Sequence, residues 1–314
     1  VRALLTGADG FAGGWLARQL LAEGHDVVGT HRRGGTPSRV LDPAESQKIE
    51  WRELELGARE SVEQVVRGHF DVVCHLAAVS SGSEARSDPG LAWEVNAAGT
   101  ARLAEALADR RAEGDDPLLL VISTAEVYGS GEARPRRETD PVRPCSPYAA
   151  SKAGAEIAAL EVAGRTGLRV MIARPFPHTG PGQDTRFVLP ALAGRLGVAK
   201  RLRAPAIKAG AVDVVRDFLD VRDATSAYRV LIERGEPGTV YNVASGEGHS
   251  IGEMAERLMG LLQWDVIIET DASLVRRADI PHLVGDPSRM RSLGWTPTIS
   301  LDRTLKDLLD AQTH

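Results

Sequence analysis

The chain has no surplus of positive charge, almost no cysteine and no apolar run of membrane-spanning length. Its 314 residues include 43 acidic and 38 basic side chains, a formal net charge of −5. A general nucleic-acid binder needs a cationic surplus to neutralise phosphates, so no nucleic-acid partner is expected. A local basic pocket for a phosphorylated small molecule stays open. The two cysteines, Cys74 in "DVVCHLAA" and Cys145 in "PVRPCSPY", lie far apart. With no CxxC pair and no Cys/His cluster, neither a disulfide framework nor a metal site is expected. No stretch is apolar for the roughly 20 residues a helical crossing needs, so no membrane partner is expected. The first strand begins within a few residues of Val1 with no secretory leader ahead of it, and the expected location is the cytoplasm. Internal repeats, low-complexity tracts and flexible linkers are missing too. What is present is 43% apolar residues, enough for a large core in one domain or two closely joined ones.

Short apolar runs alternate with helical patterns through the first half. "RALLTG" reads as a strand entering a turn, and "FAGGWLARQLLAEGH" as an amphipathic helix stopped near Gly24. "DVVGT" is a second strand. "DVVCHLAA" and "LLLVIST" are the fuller runs of strands covered on both faces, with the helix "NAAGTARLAEALADRR" between them. "RVMIARP" follows. Alternation of this kind predicts an α/β fold, a Rossmann-type doubly wound parallel sheet. After Pro175 the pattern changes to a Gly/Pro-dense loop, a basic helix over 186–203 and another over 250–262. The expected division is a dinucleotide-binding domain of 1–174 plus about 211–235. A smaller α/β substrate lobe takes 175–210 and 236–314, including the short strand in "GTVYNVAS".

"TGADGFAG" sets Gly7, Gly10 and Gly13 between the first strand and the first helix. Gly7 permits the tight turn, Gly10 lets backbone approach a pyrophosphate, and Gly13 lets helix pack on strand. The helix start then offers N–H groups and a positive dipole end to the phosphates, with Asp9, Phe11 and Ala12 alongside. The second strand ends in "VVGTHRRGG", without the carboxylate that an NAD site uses on the adenosine ribose. His31, Arg32 and Arg33 supply positive charge suited to a 2′-phosphate, so NADP(H) is favoured over NAD(H). Glu55 and Leu56, after the third strand, are placed to flank the adenine.

"YAASK" puts Tyr148 and Lys152 four residues apart, on one face of a helix. A free phenol, with a pKa of about 10, is a poor acid–base group at neutral pH. A neighbouring ammonium lowers that pKa and allows proton exchange with a carbinol oxygen. Thr124, in "STAEVYG", can hydrogen-bond the same oxygen.

The set "TGADGFAG", "HLAA", "NAAGT", "STAEVYG" and "YAASK" resembles the extended short-chain dehydrogenase/reductase (epimerase/dehydratase) family along the whole chain. The resemblance implies catalysis by Thr124, Tyr148 and Lys152 on a nucleotide-diphospho-sugar, with Glu126 at the sugar. It implies cofactor contacts from Leu76, Ala77, Ala78, Ser123, Tyr148, Lys152, Arg174 and Phe176. It implies substrate contacts from Ser80, Thr124, Ala125, Glu126, Tyr148 and Pro177. It also implies a homodimer through helices near 99–111 and 148–163. "RPFPHTGPGQ", "VRDFLDVRD" and "RRADIPHLVGDPSRM" are similar to the GDP-mannose branch, first its 4-keto-6-deoxymannose reductases and next its 4,6-dehydratases. In that branch Arg216 and Arg276 would clamp the pyrophosphate and Asp279 would hold the nucleoside ribose. Pro177 stands where the branch has an asparagine, and Arg277 where it often has a proline.

In the dehydratases that this chain resembles, the glutamate of the motif is the base and the residue before it, Asp or Ser, assists the leaving group. A 4,6-dehydratase needs a base at C5 and a proton for the departing C6 hydroxyl. The glutamate also occurs in the reductases, so it decides nothing, and Ala125 has no proton to give. The expectation is an NADPH-dependent 4-ketoreductase. A 4,6-dehydratase, a 4-epimerase and a non-catalytic NADP-sensing protein are the alternatives.

Overall fold

The computed structural model describes residues 1–35, 38, 40–274 and 280–312. Seven strands form one sheet: β1 (Arg2–Thr6), β2 (Asp26–His31), β3 (Glu50–Glu53), β4 (Val72–His75), β5 (Leu118–Ile122), β6 (Arg169–Pro175) and β7 (Val240–Val243). Their order is β7-β6-β5-β4-β1-β2-β3, and every neighbouring pair is parallel. The strand period divides the apolar residues between two faces. Ala3 and Leu5 of β1 enter one core and Leu4 the other. The first face is covered by α1 (Phe11–Ala22) and the second by α2 (Gly99–Ala112) and α3 (Pro147–Thr166). Gly24, expected to stop α1, sits just past it at φ +79°, a conformation costly for other residues.

The expected lobe boundary needs a correction. Val240–Val243 is the outer strand of the main sheet, paired with β6, and Met290 and Trp295 belong to the main core. "VYNV" reads as a strand from its own residues, but its partner lies some 70 positions earlier and is set by packing alone. The basic helix over 186–203 is present as α4 (Val188–Leu202), and α5 (Val221–Arg234) packs on the main sheet. Two further helices, α6 (Ile251–Leu262) and α7 (Leu301–Gln312), complete the lobe. Leu192, Leu196, Met254, Leu258, Leu305 and Leu308 form its separate core. Buried carboxylates fasten it to the sheet domain. Asp220 caps α5 by accepting from the Arg222 N–H at 2.8 Å, and it accepts from the Thr304 hydroxyl of α7 at 2.8 Å. Among the described residues no helix is long and apolar enough to cross a membrane.

Candidate active site

Both halves of the site lie at the C-terminal ends of the strands. Gly7 turns at φ +73°, and its N–H donates to the Thr30 hydroxyl at 3.0 Å. A methyl group on Gly7 would meet the Ala77 nitrogen at 2.9 Å, so the turn lies directly against the segment after β4. A methyl on Gly13 would fall 2.1 Å from the Gly7 carbonyl oxygen. Gly10 is exposed at the N-cap of α1, and no side chain caps that helix. An uncapped helix start with orphan N–H groups suits a phosphate, and the residues present fit the pyrophosphate of a nicotinamide dinucleotide. Phe11 is fixed by stacking on His178, with ring centroids 6.2 Å apart. Arg32 and Arg33 are exposed after β2, and His31 lies 6.1 Å from the Trp51 ring. Asp9 reaches this loop and accepts the Arg32 backbone N–H, while burial holds its carboxyl above the ordinary value. Glu55 is exposed. Leu56 is only 4% exposed, with its side chain against Gly99 in the core.

Thr124 follows β5, and its hydroxyl accepts the Glu126 N–H at 3.2 Å, opening the short turn Ala125–Tyr128. Across from it, α3 starts sharply. Pro147 occupies the first turn and the Ser146 hydroxyl accepts the Ala149 N–H at 3.1 Å. That start places Tyr148 beside Thr124, whose hydroxyl bonds the phenol. Burial and then the Glu126 carboxylate push the phenol up, and the Thr124 bond pulls it down less strongly. The expectation that Lys152 lowers the Tyr148 pKa is therefore reversed in net direction. Dehydration of the phenol outweighs the favourable contacts, and Tyr148 keeps its proton at neutral pH. Lys152 is 4% exposed; burial lowers its pKa to about 8, opposed by the Glu156 carboxylate.

Between the two halves, His75 closes β4 with both ring nitrogens bonded. Its Nδ1 lies 2.7 Å from the Thr6 hydroxyl, which also accepts the Ala77 N–H at 3.1 Å. Its Nε2 lies 3.0 Å from the Thr100 hydroxyl. Burial, then Lys152, lowers its pKa to about 3, so it is neutral. Asn96 sits in a π-turn, Glu94–Ala98, a helix irregularity frequent at functional sites. Its side chain bonds both the Val79 backbone N–H and C=O, and donates to the Ser151 hydroxyl of α3 at 2.9 Å.

Other expected site residues are distributed around this centre. Leu76, Ala77 and Ala78 are half-buried beyond β4, and Ser80 is exposed. The Ser123 hydroxyl and the Arg174 guanidinium, expected at the cofactor, are engaged with Glu156. Successive residues of an extended segment point to opposite sides, which takes Ser123 away from Thr124. Phe176 is buried in an apolar cluster with Ala125, Tyr128, Ala244, Ile280 and Leu283. Pro177 is half-buried. Arg216 donates to the carbonyls of Val215 at 2.8 Å and Ile280 at 2.6 Å. Arg276 and Asp279 lie outside the described residues. Sequence reasoning gave no role to His75, Asn96 or Glu156. The first two stand in motifs it singled out. Glu156 continues the four-residue spacing of Tyr148 and Lys152.

Residues 4–308 match the family described as GDP-mannose 4,6 dehydratase. The chain belongs to that family. It is 39% identical over 243 residues to a GDP-6-deoxy-D-mannose reductase of Pseudomonas aeruginosa, covering 76% of this chain and 79% of the relative. A UDP-glucose 4-epimerase of Mycolicibacterium smegmatis is 31% identical, covering 96% of this chain and 95% of its own. The solved structure of RMD from Pseudomonas aeruginosa complexed with NADPH superposes with a TM-score of 0.84 at 33% identity, over 99% and 98% of the two chains. The Thermus thermophilus UDP-glucose 4-epimerase complex with NAD gives 0.87 at 28% identity, over 100% and 99%. The family thus joins reductases, dehydratases and epimerases, and these two structures hold different dinucleotides.

Proposed function

We propose that the protein reduces the C4 ketone of an NDP-4-keto-6-deoxyhexose, GDP-4-keto-6-deoxymannose first among them, with NADPH. The observation that carries this reading is Ala125. The residue beside Glu126 holds no proton for a departing hydroxyl, and at 1% exposure its methyl is packed against Tyr128 and Phe176. Elimination across C5–C6 is left without its acid, whereas carbonyl reduction does not need one there. The protonated Tyr148 phenol fits the same direction, because reduction requires a proton donor.

When bound, NADPH supplies the hydride that C4 receives. Tyr148 gives its proton to the C4 oxygen as that oxygen gains negative charge, and solvent returns a proton to the phenol. Thr124 orients the oxygen and phenol together. Lys152 sets a positive charge near them. Glu126 contacts the sugar, and Arg216 serves the pyrophosphate together with Arg276, with Asp279 at the ribose. Gly7, Gly10 and Gly13 hold the dinucleotide, and His31, Arg32 and Arg33 favour its 2′-phosphate. The same reading takes the protein as a cytoplasmic homodimer. Exposed Ile157 on α3 and the nearby Trp93 and Leu91 support pairing on that face, at 70%, 47% and 42% exposure.

The test is a paired incubation of purified protein. One tube holds GDP-4-keto-6-deoxymannose with NADPH and the other GDP-mannose with NADP. Loss of 340 nm absorbance and a new deoxyhexose in the first tube alone is the expected result. Tyr148→Phe should slow it about 10²- to 10⁴-fold, the usual share of a general acid. A 4-keto product in the second tube would assign a dehydratase instead. Dinucleotide binding with no turnover across a nucleotide-sugar panel would favour a sensing role.

A further inference from the structure

Arg136 stands on the segment that leaves the Ala125–Tyr128 turn, and it is 6% exposed. Its backbone is fixed on three sides. The N–H donates to the Val284 carbonyl at 2.8 Å, and the carbonyl accepts from the Asp286 N–H and from Asn242 Nδ2, each at 2.8 Å. Asn242 Oδ1 in turn accepts the Tyr128 phenol at 2.6 Å. The guanidinium is held beneath Gly131, where an added methyl would fall 2.6 Å from Nη1 and 2.7 Å from Nη2. Yet its Nε and Nη2 are buried and bond nothing among the described residues.

Those two nitrogens form one edge of the guanidinium. Their N–H bonds run parallel and match two oxygens of one carboxylate or phosphate. The chain uses this edge elsewhere. Arg174 Nε and Nη2 reach Glu156 at 2.9 and 2.6 Å, and Arg222 Nε and Nη2 reach Asp220 at 2.8 and 2.7 Å. Around Arg136 the carboxylates are already engaged. Asp140 pairs with Arg134 at 2.9 Å and Asp286 with Arg137 at 3.3 Å. Glu138 accepts the Asn242 N–H and pairs with Arg289 at 3.6 Å. A buried charge without a partner is costly, so an anion that meets this edge stabilises the fold.

We propose that Arg136 is an oxyanion-binding site: its Nε/Nη2 edge takes the paired oxygens of a carboxylate or phosphate beneath Gly131. The proposal is independent of the reductase reading, because it rests on none of the groups assigned to hydride or proton transfer. A bound oxyanion fastens the segment 131–136 and, through Asn242, the Tyr128 end of the turn that carries Glu126.

The test compares thermal midpoints of wild type, Arg136→Met and Arg136→Lys at one pH and one ionic strength. Sodium chloride is replaced stepwise by sodium phosphate or sodium acetate. The wild-type midpoint should rise saturably, by about 2–4 °C. Phosphate held at the dinucleotide or sugar sites acts in all three proteins alike, so the rise lost on substitution belongs to Arg136. Arg136→Met should lose it, and Arg136→Lys should lose most of it, because an ammonium keeps the charge without the edge. Equal rises in wild type and Arg136→Met would overturn the proposal. A GDP titration in the same series separates the sources. An Arg136-dependent rise with GDP at concentrations where phosphate gives none assigns the oxyanion to a nucleotide; a rise with phosphate or acetate alone assigns it to a free small anion. If neither variant folds, wild-type crystals soaked in selenate decide. Anomalous density across Nε and Nη2 supports the site, and ordered water alone there overturns it.

Discussion

Two helices begin at the same edge of the sheet, and they begin in opposite ways. At α1 the N-cap is Gly10, exposed and without a side-chain bond to the first turn. At α3 the Ser146 hydroxyl closes the first turn and Pro147 fixes the entry. The first helix has no side chain on its opening N–H groups, the feature on which the proposed phosphate site rests. The second satisfies its own and becomes a rigid rod that carries Tyr148, Lys152 and Glu156 at four-residue intervals. The proposed function puts binding at the end that local structure leaves unfinished, and chemistry at the end that is complete. Between them His75 lies buried at the end of β4, bonded to Thr6 at the end of β1 and to Thr100 on α2.

The largest break in this comparison comes at the open end. Gly13→Ala would set a methyl 2.1 Å from the Gly7 carbonyl oxygen, and both groups are backbone-bound. Neither can move without shifting α1 against β1. Overpacking of this kind costs about 1–3 kcal/mol and often more against backbone. The expected outcome is lower stability to denaturant together with loss of NADPH binding, followed by the nucleotide's fluorescence. Normal affinity in this variant would show that the close approach of α1 to the turn is dispensable.

How far this site is legible in the sequence depends on how local each feature is. The glycine spacing is readable because strand, turn and helix are contiguous, and a single turn geometry demands those residues. Tyr148 and Lys152 are readable because a helix maps four residues onto one face. The same rule places Glu156 there, but nothing local says that Arg174 and Ser123 will converge on it. Ser123 and Arg174 come from different strands, and their partner is set by the order in which those strands pair. The strand at 240–243 is equally clear as a strand, yet its place beside β6 is fixed by the whole sheet. The net direction of the Tyr148 pKa also escapes the motif, because burial and the Glu126 carboxylate outweigh the Thr124 hydrogen bond, and burial is a property of the packed molecule.

The buried imidazole between the two ends gives a middle-sized effect that depends on pH. His75 has a pKa of about 3 when folded against 6.5 when exposed. Between those values the unfolded chain binds a proton that the folded one does not. Stability is therefore unaffected above about pH 6.5 and falls as pH drops below it; by pH 5 about 2 kcal/mol has been lost. His178, also lowered by burial, acts in the same direction, while Asp9 and Asp217, raised by burial, act against it. The measurement is unfolding free energy at pH 7 and pH 5 in wild type and in His75→Gln, which can keep hydrogen bonds but cannot titrate. The variant should lose less on acidification. An identical loss would place the acid sensitivity elsewhere.

The smallest expected effect lies at the closed end, and it sharpens the contrast most directly. Ser146→Ala removes the bond to the Ala149 N–H, and loss of such a cap costs about 1 kcal/mol. The denaturation midpoint should fall with its slope unchanged, since no additional surface is exposed in either state. Gly10→Ala at the open end has no cap bond to remove. There the new methyl lies 3.1 Å from the Gly7 oxygen, at the surface where the proposed function puts the phosphates. Its principal cost should appear in dinucleotide affinity instead of the midpoint. If Ser146→Ala also weakened dinucleotide binding while leaving the midpoint alone, the cap at α3 would be part of the binding machinery, and the division between an open end that binds and a closed end that reacts would fail.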